Sequence, residues 1–237
     1  MKEKIYTIPL TESYEQDCEC PLCFIEKNLE HDAVEYALGA AMMEPDYRII
    51  SNDKGYCNKH FSMMFAIPNK LSLALVLDTH MNEVQNKLKA AEKKITKEKK
   101  SSFLKKASID TGEPVSKITS SCVVCEKIEN TMKRYKENFF YMWDKDESFR
   151  EKVINSKGFC LKHFTSLLNG AEKHCKNPHE FIKTIYDLEL ENLKRINDEV
   201  HKFTLKFDYR NKDMEWGTAE NSPLRAIEKL QGFINTN

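Results

Sequence analysis

Two cysteine patterns recur along the 237-residue chain. Cys20-Pro-Leu-Cys23 returns as Cys122-Val-Val-Cys125. Gly55-Tyr56-Cys57-Asn58-Lys59-His60-Phe61 returns as Gly158-Phe159-Cys160-Leu161-Lys162-His163-Phe164. A tetrahedral zinc site takes four nitrogen or sulfur ligands, commonly as two short-spaced pairs. Cys-x2-Cys lets two thiolates of one turn converge on an ion. Cys-x2-His places a thiolate and an imidazole at i and i+3, on one face of a helix. The sets expected from order along the chain are Cys20, Cys23, Cys57, His60 and Cys122, Cys125, Cys160, His163. Three thiolates and one Zn²⁺ sum to −1, a charge favoured at helix starts. The same position lowers a thiol pKa and helps the metal displace protons.

Two Zn²⁺ ions are therefore expected, each bound within its own copy. All four positions are protein ligands, the mark of a closed structural site rather than a catalytic one. An iron–sulfur cluster on the same Cys3His ligands is the alternative. Haem attachment is excluded because Phe24 and Glu126, not histidine, follow the second cysteines. A thioredoxin-like centre would need a βαβ setting that the chain lacks.

The elements that carry these residues follow from the repeat. The offset between copies is 102 residues for the first pattern and 103 for the second, which marks an internal duplication. In each copy the CxxC opens a helix, over Phe24 to about Met43 and Glu126 to about Trp143. Polar connections follow at Glu44–Lys54 and Asp144–Lys157. The Gly-aromatic-Cys step opens a second helix and a longer one comes next. The bridges of 33 and 34 residues between the two motifs are filled by a helix hairpin. The long helices carry apolar stripes, Leu77, Met81, Val84, Leu88, Ala91, Ile95 and Ile185, Glu189, Leu193, Ile196, Val200, Phe203, Phe207, read as core-facing. Gly and Pro number 7 each, about 3% against typical values of about 7% and 5%, which argues against an all-β chain. The expected architecture is all-α: a first repeat over 1–100, a linker over 101–121, a second repeat over 122–207 and a tail over 208–237. The tail ends in a short helix with Ser222 as N-cap, Pro223 at its first position and Gly232 closing it.

Charge and composition narrow the function. Lys+Arg and Asp+Glu are 37 each, so no global field draws the chain to nucleic acid or acidic lipid. No apolar run approaches a membrane span, and the first residues hold no apolar signal region. A cytoplasmic location is expected, where thiols stay reduced and eight cysteines serve metals rather than disulfides. No Ser-His-Asp set, phosphate loop or nucleotide fingerprint is present.

Weaker signals are read conservatively. Cys18 is an exposed bystander; Cys175, with His174 and His179, lies in a surface loop; His80 and His201 are partly buried, hydrogen-bonded histidines. Lys93–Lys106, rich in lysine, is a solvated helix end and linker, with phosphate contact as the alternative. Phe139, Phe140, Tyr141, Met142 and Trp143 form core and domain-interface packing. In the tail, Tyr209, Arg210, Asn211 and Trp216 combine a phenol, a guanidinium, an amide and an indole. They are expected beside a cleft between the repeats, as a ligand or partner site.

MKEKIYTIPLTESYEQDCECPLC, the two GxCxKHF steps and HKFTLKFDYRN followed by WG resemble an uncharacterised bacterial family, domain-of-unknown-function family 6062. The likeness covers nearly the whole chain. It implies a cytoplasmic bacterial protein and lends no catalytic residue. The leading expectation is a non-enzymatic binding or scaffold protein with structural zinc and an unidentified protein or small-molecule partner. The alternatives are an iron–sulfur or thiol-based redox enzyme or sensor, and a nucleic-acid binder using Lys93–Lys106.

Overall fold

A computed structural model describes residues 4–101 and 112–234. Among the described residues there are eleven α-helices and no strand, as the scarcity of turn residues requires. They are α1 (Lys4–Ser13), α2 (Pro21–Leu38), α3 (Pro45–Lys54), α4 (Asn58–Ala66), α5 (Lys70–Ser101), α6 (Glu113–Thr119), α7 (Val123–Lys145), α8 (Glu147–Ile154), α9 (Leu161–His174), α10 (Pro178–Leu205) and α11 (Ser222–Gln231).

The four motif starts share one local logic. Cys57 and Cys160 are the N-caps of α4 and α9, and Cys20 and Cys122 directly precede α2 and α7. The Cys160 and Cys122 sulfurs accept the free amides of His163 and Cys125 at 3.5 Å, whereas Cys57 makes no such cap bond. The polar connections turn out to be helical. Pro45 opens α3, where a missing N–H costs nothing. Asp146 caps α8 by accepting the Phe149 N–H at 3.1 Å. In the expected linker, α6 occupies Glu113–Thr119. Residues 102–111, and the side chains of the lysine run beyond residue 96, lie outside the described residues. The cap of α11 shifts by one residue: Asn221 is the N-cap, Ser222 and Pro223 begin the helix, and Gly232 ends it at φ +91°.

The chain divides into two compact units that cut across the sequence copies. Unit 1 comprises Met1–Asn28 and Thr131–Asn237; unit 2 comprises Leu29–Asn130. In unit 1, α10 packs on α8, α9 and α11. Its core is aromatic: the Phe139 ring meets Phe140, Phe149, Phe159 and Phe181 edge to face, with centroids 5.5–6.2 Å apart. The expected packing role of the Phe139–Trp143 cluster holds for that core; Tyr141 alone is exposed. The stripe of α10 is buried at Ile185, Glu189 and Ile196 and runs out to an exposed Phe207.

Unit 2 has a leaner core of small and aliphatic groups, including Ala33, Val34, Ala37, Met64, Leu73 and Val76. There α5 packs on α3, α4 and α6. The stripe expected on α5 is not its buried face. Leu73 and Val76 are buried, whereas Met81 and Leu88 are exposed and Leu77, Val84, Ala91 and Ile95 are half-buried. The helix enters its core through its first two turns, so the later apolar positions have little to cover them.

Candidate metal centres

All eight expected ligands gather into two clusters, but their pairing is exchanged between the copies. Cys20 and Cys23 meet Cys160 and His163, and Cys57 and His60 meet Cys122 and Cys125. Within each cluster the ligand atoms lie within 4.8 Å of one another. This corrects the expectation of one site per copy. Helix lengths give the reason. The 18 residues of α2 run about 27 Å outward, and the 10 residues of α3 return only about 15 Å. In the second copy α7, with 23 residues, covers about 35 Å, against about 12 Å for the 8 residues of α8. Neither hairpin closes on its own start, so a CxxC and the CxxH that follows it do not meet.

The separations fit one ion per cluster. Tetrahedral zinc, with Zn–S of about 2.3 Å and Zn–N of about 2.0–2.1 Å, implies S···S near about 3.8 Å and S···N near about 3.6 Å. In unit 1, site 1 has Cys23 Sγ 3.4 Å from Cys160 Sγ. Its His163 Nδ1 lies 3.5, 3.3 and 3.4 Å from the sulfurs of Cys20, Cys23 and Cys160. In unit 2, site 2 has Cys57 Sγ 3.8 Å from Cys125 Sγ. Its His60 Nδ1 lies 3.2, 3.2 and 3.5 Å from the sulfurs of Cys57, Cys122 and Cys125. All eight cysteines are free thiols.

Each histidine turns its other nitrogen to a carboxylate of α2. His60 Nε2 is 2.9 Å from Glu30 Oε1, and His163 Nε2 is 3.6 Å from Glu26 Oε2. At hydrogen-bond distance Glu30 fixes the His60 ring and leaves its Nδ1 for the metal, while Glu26 is held by Lys162 at 2.7 Å. Glu26 and Glu30 were not singled out in the sequence, because no spacing to the histidines announces them.

Electrostatics within the clusters reflect crowded sulfur. In site 2 burial raises the Cys122 thiol, but hydrogen bonds from His60 and the amides of Cys125 and Cys57 outweigh it and bring it down to about 6. Burial and the neighbouring Cys122 push Cys125 up to about 12. For His60 burial opposes the charge, yet Cys122 and Glu30 raise it to about 10. In site 1 hydrogen bonds from Cys20 and Cys23 hold Cys160 strongly as thiolate, and its presence pushes Cys23 up to about 12. One stable thiolate surrounded by thiols that resist ionisation is the pattern a cation relieves.

The glycines of the GxC steps are required by position. Gly55 and Gly158 have φ of +66° and +79°. A Cβ on Gly55 would stand 2.5 Å from the His80 ring, and one on Gly158 would stand 2.7 Å from Glu189 Oε2 and 3.0 Å from Lys229 Nζ. The surrounding locks differ. In unit 2, Val123 donates its N–H to Gly55 O at 3.0 Å and Ser121 Oγ bonds Lys54 O at 2.6 Å. In unit 1, Pro21 stands where Val123 does and has no N–H to give. There Lys229 of α11, fully buried, donates to Lys157 O at 2.5 Å and Glu19 O at 3.4 Å. Its ammonium lies 3.3 Å from Glu189 Oε1, and Glu189 Oε2 accepts the Phe159 N–H at 2.9 Å. Burial raises Glu189 and lowers Lys229, so their mutual attraction is what retains both charges.

The remaining candidates take other roles. Tyr209 is 77% exposed, and Arg210 is held by its own neighbour Asp208 at 2.5 Å. Asn211 Nδ2 bonds Leu205 O at 2.9 Å, and Trp216 packs on Phe203 and Phe207. These four residues finish the end of α10, and they line neither the cavity beside Cys18 nor the one between Thr7 and Asp146. Cys18 is less exposed than expected. It is partly buried, its thiol is raised by burial, and it lines a cavity of about 200 Å³ with Cys20, Cys23, Lys27, Glu228 and Phe233. Cys175 joins no cluster among the described residues, and His174 stacks on Phe140. His80 is half-buried and bonds Asn52 O at 2.9 Å, as expected, whereas His201 is exposed.

Fold and sites together define an all-helical protein with two candidate Cys3His metal centres. The chain belongs to the family of unknown function DUF6062, whose model matches residues 1–237. No curated protein and no solved structure matches it. No described helix is long and apolar enough to cross a membrane.

Proposed function

We propose that the protein binds two Zn²⁺ ions as structural staples and serves as a binding or scaffold protein rather than an enzyme. The observation that carries this reading is the convergence of four ligand atoms within 4.8 Å, twice, from residues far apart in the chain. A single tetrahedral ion fits that spread, and a cluster of several irons would spread the ligands further. Four protein ligands leave no open position for a substrate, which supports a structural role over a catalytic one. Cys20, Cys23, Cys160 and His163 would hold one ion, and Cys57, His60, Cys122 and Cys125 the other. When bound, each ion neutralises thiolates that otherwise repel one another. Glu30 orients the His60 imidazole, and Glu189 with Lys229 fixes the backbone beside Cys160.

The test is elemental analysis of protein purified under reducing conditions, paired with its visible spectrum. Two zinc per chain and no colour are expected. Iron with broad visible absorption would replace zinc by the iron–sulfur reading, and protein free of any bound metal would refute both. Chelation should also lower the melting temperature strongly, because structural zinc contributes on the order of 10 kcal/mol to folding.

A further inference from the structure

The two sites have the same ligands but different surroundings. All four ligands of site 1 are buried. The turn that ends α11 lies over them: Gly232 brings its backbone to the sulfurs, so that a Cβ there would stand 3.5 Å from Cys23 Sγ and 3.7 Å from Cys160 Sγ. The next amide, of Phe233, donates to Cys23. Site 2 is open on one side. Cys125 is exposed and Cys57 half-exposed, while Cys122 and His60 are buried. The two accessible sulfurs are also neighbours, 3.8 Å apart. An accessible cysteine beside a second one that can resolve it is the arrangement of a redox-responsive pair.

We propose that site 2 is an oxidation-sensitive metal site whose accessible pair, Cys125 and Cys57, reacts with hydroperoxides while site 1 stays intact. This rests on the reading of both clusters as metal sites. The Cys125 sulfur, which would be a thiolate as a ligand of the ion, attacks the distal oxygen of the hydroperoxide. An S–O bond forms, the O–O bond breaks, and the leaving alkoxide or hydroxide departs with a proton as alcohol or water. Cys57 then attacks the Cys125 sulfenic sulfur. An S–S bond forms and the hydroxyl leaves with a proton as water. Two thiolates lose two electrons in all, and the peroxide takes them up. His60 and Cys122 remain as two ligands, too few to retain the ion.

The experiment uses the full chain loaded with two zinc per molecule. Hydrogen peroxide is added in increments, released zinc is followed with a colorimetric chelator, and thiols and disulfides are mapped by mass spectrometry. One zinc should leave as a Cys57–Cys125 bridge forms, with Cys20, Cys23 and Cys160 unmodified and the second zinc retained. Thiol reductant and fresh zinc should then restore both equivalents. Release of both ions together, or first modification at Cys18 or Cys23 through the cavity beside site 1, would overturn the proposal. So would a bridge from Cys125 to Cys122, which removes the role given to Cys57. A chain that never holds two zinc fails earlier, at loading, and refutes the metal reading itself.

Discussion

The exchanged ligand pairing can be tested by counting metal in two double variants that differ in one partner. Cys20→Ser with Cys160→Ser removes two ligands of site 1 and leaves site 2 whole. Cys20→Ser with Cys57→Ser removes one ligand from each site. The first variant should retain one zinc. The second should retain neither tightly, because each site is left with two thiolates, one imidazole and a weak hydroxyl. Pairing within copies predicts the reverse. The loss is large on the scale of folding: structural zinc is worth on the order of 10 kcal/mol in small domains, against a total stability of about 5–15 kcal/mol. The first variant should therefore show early melting of one unit alongside a chelator-sensitive transition of the other. Zinc is counted by elemental analysis after desalting against a weak chelator, and cobalt substitution then reports whether the remaining site is tetrahedral. One zinc retained by the Cys20/Cys57 variant and none by the Cys20/Cys160 variant would refute the pairing.

Other consequences concern pH, charge and backbone. In the metal-free protein Cys125 is raised to about 12 and His60 to about 10, so both hold protons at neutral pH that the ion must displace. These two protons alone make affinity at site 2 rise by at least about a hundredfold per pH unit above about pH 7, and the dependence steepens below about pH 6, where Cys122 also takes a proton. Competition with a chelator at several pH values measures this, and a flat profile would contradict it. Lys229→Met should cost about 3–5 kcal/mol by leaving Glu189 buried and unpaired. Adding Glu189→Gln should recover part of that in chemical denaturation; equal midpoints for wild type and Lys229→Met would sink the claim. Gly158→Ala should cost more than Gly217→Ala. Both add about 1–2 kcal/mol of left-handed strain, but only the first drives a Cβ into Glu189 and Lys229.

The fold class, the eight ligands and most helices were legible because their signals are local. Motif spacing, the Pro45 and Pro178 helix starts and the stripe of α10 all act within a few residues. What was not legible depends on lengths and partners. The polar stretches around Asp46 and Glu147 read as connections, because a short helix with one apolar face looks like a loop until its cap is seen. Exchanged pairing follows from the mismatch between α2 and α3, and between α7 and α8, which is a difference in helix ends rather than in any motif. Lys229 was invisible for a related reason. A lysine in an amphipathic segment normally faces water, but here Glu19 stands where the other copy has Ser121, whose hydroxyl bonds Lys54 O, and the matching Lys157 carbonyl is left for the ammonium.

The exchange also predicts which pieces of the chain keep a metal site. A fragment spanning residues 1–100 contains one complete CxxC and one complete CxxH, the full complement of a single copy. Its Cys20 and Cys23 lack the partners they meet in the structure, as do its Cys57 and His60. A fragment spanning residues 29–130 looks worse by motif, since it takes its CxxH from one copy and its CxxC from the other. It nevertheless carries Cys57, His60, Cys122 and Cys125, the Glu30 that orients His60, and the Val123 and Ser121 bonds that seat the Gly55 turn. At about 100 residues a lean core gains most from a metal staple. The 29–130 fragment should fold cooperatively only with zinc and hold one equivalent, whereas the 1–100 fragment should hold none that survives a weak chelator. Circular dichroism with and without zinc, together with metal analysis, distinguishes the two. A tightly held tetrahedral ion in the 1–100 fragment would show that one copy closes on itself, and the helix-length argument would fall with it.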